Sequence, residues 1–348
     1  MIAPSPTIAS DPIDLTRAQV LVTGAAGFLG SALVWALNAQ GCVPALVADY
    51  LESGEKWRNL SPLAFGDYIE ADGLLARIRE KSLGRFDVVI HFGACSSTTE
   101  RDGRRMVDAN YAFTKTLAKW AVGQGARFVY ASSAATYGDG SAGMRDDDGL
   151  EALMRLRPLN LYGYSKHLFD LYAARGGLAT RIAGLKFFNV YGPNESHKGE
   201  MRSLVHKAYG QVLQTGRVEL FKSYRPDYAN GEQRRDFIYV KDAVAMTIAV
   251  ARNPRAIGLF NIGTGQSHTW IEMAEAVFAS LGRQPAIEFI EMPEAIRPMY
   301  QYATCADIGK LRLAGYETPI TPFRSAVRDY ITNYLVPGRA LGDEAALE

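Results

Sequence analysis

The chain has 348 residues, long enough for one large or two interlocked domains with a sizeable core. Lys+Arg 38 against Asp+Glu 37 leaves a formal charge of +1, so no global field favours nucleic acid or an anionic membrane as partner. The cysteines Cys42, Cys95 and Cys305 are too widely spaced for a metal-ligand pair and suggest a reduced compartment, with no metal expected.

The start, Met1-Ile-Ala-Pro-Ser-Pro-Thr, lacks a basic region and a continuous apolar stretch, so residues 1–18 read as a disordered extension rather than a signal peptide. No apolar run approaches the ~20 residues of a membrane span, and a soluble, cytoplasmic protein is expected. The first strand is Gln19-Val-Leu-Val-Thr-Gly24, an apolar β-rich run that breaks into Gly24-Ala-Ala-Gly27-Phe28-Leu29-Gly30 before a helix from Phe28 to Leu37. In that strand-turn-helix context the missing side chains let backbone N–H groups approach a pyrophosphate at the positive helix end. The Gly-x-x-Gly-x-x-Gly spacing points toward the dinucleotide site of short-chain dehydrogenases/reductases.

A second strand, Ala45–Asp49, closes on an acid about 20 residues after the glycines, placed to accept hydrogen bonds from ribose hydroxyls. Asp49 favours NAD, whereas Lys56 and Arg58 offer charge to a 2′-phosphate; both NAD and NADP stand. Strand Asp87–Phe92, a helix from Met106 to Gln124 and strand Phe128–Ser132 follow, the last ending in the hydroxyls of Ser132 and Ser133. Ligands collect at the carboxyl ends of strands in open α/β sheets, and some thirty residues on comes Tyr162-Gly-Tyr-Ser-Lys166. Four residues is about one helical turn, so phenol and ammonium share a helix face. The ammonium is expected to lower the phenol's pKa toward use as a proton acceptor in alcohol oxidation. Tyr111-Ala-Phe-Thr-Lys115 has the same spacing but no serine strand before it, and reads as helix surface.

After strand Ile182–Phe188 the texture changes to long loops with Gly192-Pro193, Pro226 and Asn230-Gly231, interrupted by strands Asp236–Val240 and Gly258–Ile262. Strands alternating with helices imply an α/β fold with a doubly wound parallel sheet. A smaller substrate domain is interleaved with late returns to the main sheet. The expected division is a dinucleotide domain over 19–190 and 236–266, a substrate domain over 191–235 and 267–335, and a frayed tail at 336–348.

These residues resemble the extended short-chain dehydrogenase/reductase family of nucleotide-sugar enzymes, and within it the ADP-L-glycero-D-manno-heptose 6-epimerases. The resemblance runs from Val20 to Tyr334. Its generic carriers are the glycine turn, Ser132-Ser-Ala-Ala-Thr-Tyr-Gly138 and Tyr162-x-x-x-Lys166; the specific ones are Gly93-Ala-Cys-Ser-Ser-Thr-Thr-Glu100, Phe188-Asn-Val-Tyr-Gly-Pro193, His197-Lys-Gly199, Arg235-Asp-Phe237 and Tyr300-Gln301. It implies Rossmann-like architecture and tightly held NADP or NAD, one per chain, contacted by Phe28, Leu29, Asp49, Tyr50, Lys56, Phe92, Gly93, Ala94, Cys95, Ser96, Lys166 and Val190. Substrate contacts are implied at Asn189, Glu200, His206, Phe221, Lys222, Ser223, Tyr224, Arg235 and Tyr300, with Tyr162 and Lys198 as the two acid/bases and Ser133 assisting. Tyr50 and Ala71 depart from the family's asparagine and lysine, and Glu200 from a small residue.

The function implied is inversion at C6 of an ADP-heptose by transient oxidation and re-reduction, for lipopolysaccharide inner-core synthesis, by a homo-oligomer with a pentamer among its forms. The alternatives are another nucleotide-sugar epimerase of the family, such as a 4-epimerase, and a non-catalytic dinucleotide-binding protein. A 4,6-dehydratase is disfavoured because no acidic pair follows Thr136 in the serine strand.

Overall fold

The computed structural model describes residues 11–294 and 296–343. Its strands are β1 Val20–Thr23, β2 Leu46–Asp49, β3 Tyr68–Glu70, β4 Val88–His91, β5 Arg127–Ser133, β6 Ala183–Phe187, β7 Asn189–Tyr191, β8 Val218–Phe221, β9 Arg234–Arg235, β10 Phe237–Tyr239, β11 Gly258–Ile262, β12 His268–Thr269 and β13 Ile287–Ile290. Seven of them form one sheet in the order β11-β6-β5-β4-β1-β2-β3, parallel throughout. Every residue of β1, β2 and β4 is buried, as continuous apolar strands must be when helices cover both faces. One core therefore lies on each side of the sheet.

The order reverses at β1: β2 and β3 continue on one side, β4, β5 and β6 on the other. Such a reversal opens a crevice at the carboxyl ends of the strands. Thr23 is in register with His91, so the glycine turn after β1 and the segment after β4 leave the sheet together. This junction positions the site.

Three expectations are corrected, and one strand is added. Asp236–Val240 does not return to the main sheet; Phe237–Tyr239 pairs in parallel with Asn189–Tyr191 in a separate two-stranded unit, and of the late strands only β11 joins the seven. Of the expected disordered extension, residues 1–10 lie outside the described residues, but Ile13 N–H donates to Arg252 O at 2.7 Å and Leu15 is buried in the core. One apolar anchor and a ladder-like bond are enough to fix that stretch. The expected frayed tail is likewise ordered over 336–343: Leu341 is fully buried, and its N–H donates to Asn194 Oδ1 at 2.9 Å. The half-buried edge strand β3 was not expected, because three residues give no period to read. Among the described residues no helix is long and apolar enough to cross a membrane.

Candidate active site

The glycine turn is held shut by backbone contacts that exclude side chains. A Cβ on Gly24, which has φ +70°, would lie 2.5 Å from the Gly93 nitrogen, and one on Gly30 would lie 1.9 Å from the Gly24 oxygen. The helix Phe28–Ala39 thereby starts close against β1 and β4 with its positive end at the crevice. Asp49 stabilises the turn directly, its Oδ2 accepting from the Ala26 and Gly27 N–H groups at 2.8 and 3.2 Å. Its Oδ1 accepts from the Tyr50 N–H at 2.7 Å and from Lys56 Nζ at 2.5 Å. The Tyr50 hydroxyl turns to Asp72 Oδ1 at 2.6 Å, and Arg58 pairs with Glu55. An acid, an amine and a glycine turn leading into a helix start form a donor and acceptor set that fits the adenosine and pyrophosphate of a dinucleotide.

The segment after β4 is fixed from two sides. Buried His91 bridges Thr23 Oγ1 at 2.6 Å and Thr114 Oγ1 at 2.9 Å, and burial brings its pKa down to about 3, so the ring is neutral. Phe92 packs edge-on against Phe187, and Gly93 N–H reaches Thr23 Oγ1 at 3.4 Å. Asn110 Oδ1 accepts from the Cys95 N–H at 2.8 Å, while its Nδ2 donates to Cys95 O at 2.9 Å and to Ser165 Oγ at 2.9 Å. Asn110 thus ties this segment to the helix Leu161–Arg175, and it does so from a single π-helical turn, Asp108–Ala112. The sequence reading missed it. A buried asparagine in mid-helix, where that residue is disfavoured, was the available signal.

Ser133 ends β5 with its Oγ accepting from the Ala135 N–H at 3.1 Å, and its hydroxyl is near enough to the Tyr162 phenol to act on it. The helix carrying Tyr162 begins with an asparagine cap, Asn160 Oδ1 accepting from Gly163 N–H at 2.8 Å. Lys166 is buried one turn on, its Nζ donating to Ala131 O at 2.9 Å. The expected lowering of the Tyr162 pKa does not occur in these surroundings: burial pushes the phenol up, opposed by the Ser133 hydrogen bond. The Lys166 ammonium points to a carbonyl of β5 and is itself brought to about 8 by burial, with Asp170 opposing. By contrast, Lys115 lies over the rings of Tyr111 and Tyr172 on the helix surface.

Lys198 comes from Ser196–Met201, short 3₁₀ turns kinked at Gly199 within the loop between β7 and the next helix, and its Nζ stands 4.9 Å from the centre of the Phe28 ring at the start of the cofactor-side helix. Burial lowers its pKa, with Glu195 acting against the shift. His197 meets Asn59 Nδ2 at 3.1 Å, and Asn59 donates to Ala26 O at 2.9 Å, which ties the loop to the glycine turn.

A second cluster gathers around Arg235. The guanidinium is buried, lies 5.1 Å from the Trp270 ring centre and 5.3 Å from that of Tyr300, and has no carboxylate partner among the described residues. Asp236 does not pair with it, since its oxygens accept from the Thr264, Gly265 and Ala306 N–H groups. Trp270 Nε1 donates to the Tyr300 hydroxyl at 2.8 Å, and Phe221 meets Tyr300 edge-on. A buried cation beside two aromatic rings, with no carboxylate partner, suits an anionic ligand. Trp270 was missed because no spacing marks a lone aromatic at a helix start.

The remaining expected contacts divide. Asn189 is exposed and its Oδ1 accepts from Thr304 Oγ1 at 3.3 Å, while Val190 pairs with Ile238 on β10. Past β8, Lys222 pairs with Glu291 at 2.6 Å, Ser223 N–H donates to Asn230 Oδ1 at 2.8 Å, and Tyr224 accepts from Arg297 Nη2 at 2.8 Å. Glu200 faces solvent beside Lys207 at 3.5 Å. His206 is already engaged at both nitrogens, with Tyr330 at 2.9 Å and Arg202 at 3.4 Å, so the expected sugar contact there finds no free ring atom. Among the described residues no group of three or more His, Cys, Asp or Glu side chains could hold a metal ion.

The family model of the NAD dependent epimerase/dehydratase family matches residues 20–263. The chain belongs to this family. Within it, the chain is 49% identical over 90% of its length to a Nitratidesulfovibrio vulgaris protein, covering 97% of that protein, which is named ADP-L-glycero-D-manno-heptose-6-epimerase. A Fusobacterium nucleatum protein of the same name is 41% identical, with 91% and 98% of the two chains covered. The crystal structure of Helicobacter pylori ADP-L-glycero-D-manno-heptose-6-epimerase is similar with TM-score 0.75 and 26% identity, covering 92% of this chain and 97% of that one. Thermus thermophilus UDP-glucose 4-epimerase, in complex with NAD, is similar with TM-score 0.70 and 25% identity over 90% and 97% of the two chains. This family member therefore shares its whole catalytic fold with epimerases of more than one sugar.

Proposed function

We propose that the protein is an ADP-L-glycero-D-manno-heptose 6-epimerase. The observation that supports the reading most is that Tyr162, on the helix beside Ser133, and Lys198, with its amine 4.9 Å from the Phe28 ring centre, come from different elements, as two acid/bases would have to. Relatives of that name at 41 and 49% identity support the choice of sugar. A single base on a helix cannot easily follow a substrate oxygen through both orientations that inversion requires.

A nicotinamide dinucleotide, when bound, takes hydride from the sugar carbon and returns it to the opposite face. The glycine turn, Asp49 and Lys56 would hold its adenosine and pyrophosphate; Phe92 to Ser96, Lys166 and Val190 would line its other end. In one orientation Tyr162 exchanges the proton of the substrate hydroxyl, with Ser133 fixing the oxygen beside it. Lys166, brought to about 8 by burial and anchored on Ala131 O, keeps its proton through the neutral range and would hold the nicotinamide ribose. In the other orientation Lys198 exchanges the proton, because burial has brought its amine below the ordinary lysine range.

Arg235 beside Trp270 and Tyr300 would take the diphosphate, and Phe221 to Tyr224 the rest of the nucleotide sugar, on segments of the proposed substrate domain over 191–235 and 267–335, with Asn189 contributing from the dinucleotide domain. A homo-oligomer belongs to the same proposal, and sedimentation of the purified protein measures it. Turnover on a panel containing an ADP-heptose, UDP-glucose and UDP-galactose tests the substrate assignment: the ADP-heptose should be inverted at least ~100-fold faster, as a site built around specific polar contacts discriminates. Faster inversion of a UDP-hexose at C4 would replace this reading with that of a 4-epimerase.

A further inference from the structure

Beneath Lys198 lies a carboxylate that neither the sequence reading nor the mechanism uses. Glu195 is fully buried. Its Oε2 accepts from the Ser203 N–H at 2.5 Å, and its Oε1 accepts from Ser203 Oγ at 2.6 Å, the Tyr330 hydroxyl at 3.0 Å and the Gly192 N–H at 3.4 Å. Gly192 lies at the start of the loop and Ser203 at its end, where Ser203 also caps the helix Leu204–Thr215. Lys198 N–H donates to the Glu195 backbone oxygen at 3.0 Å. One side chain therefore draws together both ends of the loop that carries the amine and joins them to the C-terminal Tyr330.

The proton pattern fixes the charge of this group. Ser203 Oγ accepts from His206 N–H at 3.2 Å, so its own proton is free to point at Glu195. The Ser203 and Gly192 amides can only donate. Burial raises the carboxyl's pKa, but the Ser203 and Gly192 donors and the Lys198 charge oppose that rise. A buried group met by this many donors is satisfied as an anion and would leave donors opposed as an acid.

We propose that Glu195 is a positioning residue for Lys198: its buried carboxylate, bonded to both ends of the 192–203 loop, sets the path of the loop that carries the amine and adds a negative charge in its neighbourhood. The inference rests on Lys198 acting as the second acid/base. The charged and titratable groups about the amine are Glu195 on its own loop, His197 beside it, and Lys56 and Asp49, which act on His197 from the facing segment. Around Glu195 stand Tyr330 and, beyond it, His206 and Arg202. Only Glu195 opposes the lowering of the Lys198 pKa by burial.

Glu195→Gln keeps the shape, removes the charge and turns one acceptor into a donor opposed to the loop. The expected result is kcat reduced about 10–100-fold, part of the full general acid/base contribution, with KM within about 3-fold and bound cofactor unchanged. Losing a nearby anion disfavours the ammonium, so the limb of the pH–rate profile set by Lys198 moves to lower pH whether the amine is needed as acid or as base. A folded Glu195→Gln protein with native kcat and an unmoved profile, beside an inactive Lys198→Met, overturns the inference alone; an active Lys198→Met overturns the acid/base reading beneath it. If Glu195→Gln yields no folded protein, Tyr330→Phe decides: kcat should fall about 3–10-fold at constant KM, and native kcat refutes the proposal.

Discussion

Lys56 Nζ lies 2.5 Å from Asp49 Oδ1, so the acid that closes β2 carries its own counter-charge. An argument from Asp49 alone, that its charge would repel a 2′-phosphate, therefore does not hold for this protein. Purified protein should release close to one dinucleotide per chain on acid treatment. Lys56→Ala should weaken NADP more than NAD, by about tenfold or more for a lost charge contact, measured by titration of the stripped protein. Equal losses for the two would remove Lys56 from phosphate recognition.

Tyr162→Phe and Lys198→Met should each lose epimerase activity by about two to four orders of magnitude while keeping the fold and bound cofactor. Near-native turnover in Lys198→Met would leave a one-base mechanism with Lys198 as a surface-loop residue.

Arg235 should act in binding rather than in chemistry. Arg235→Lys loses the planar fork and the fit between Trp270 and Tyr300, so KM for the nucleotide sugar should rise about 10–100-fold with kcat little changed. Trp270→Phe, which removes the donor to the Tyr300 hydroxyl, should raise KM less. A fall in kcat at constant KM in Arg235→Lys would place this arginine at the reacting centre instead.

The main strands and the glycine turn were legible because a buried parallel strand is a short apolar run and a turn at a helix start shows its missing side chains. Tyr162, Ser133 and Lys166 were legible by spacing. The rise of the Tyr162 pKa was not, because it comes from burial and because the Lys166 ammonium points to Ala131 O on a strand some thirty-five residues earlier. Glu195 and Trp270 were illegible for the same kind of reason: each works through partners distant in the chain, as Glu195 does with Tyr330. The tail over 336–343 misled because a single buried leucine, Leu341, outweighs the polar glycine-rich composition around it.

Stability should fall as pH drops below the ordinary histidine range. Burial holds His91 at about 3 and His197 and His206 at about 4 in the folded protein, against about 6.5 unfolded. The unfolded chain then binds more protons between those values, so the stabilisation is whole above 6.5 and is lost as pH falls toward 4 and 3. Denaturant titrations at several pH values should show this slope. His91→Asn should flatten it by about 1.4 kcal/mol per pH unit, and an unchanged slope would mean that His91 is not buried neutral.

The central claim is that this protein inverts C6 of an ADP-heptose by removing and restoring the same hydrogen. The direct measurement is NMR of the reaction in deuterium oxide, starting from one pure C6 epimer with purified protein and no added dinucleotide. The other epimer should appear until the two reach equilibrium, with protium retained at C6. Absence of inversion, or inversion with deuterium entering C6 from solvent, would contradict the account.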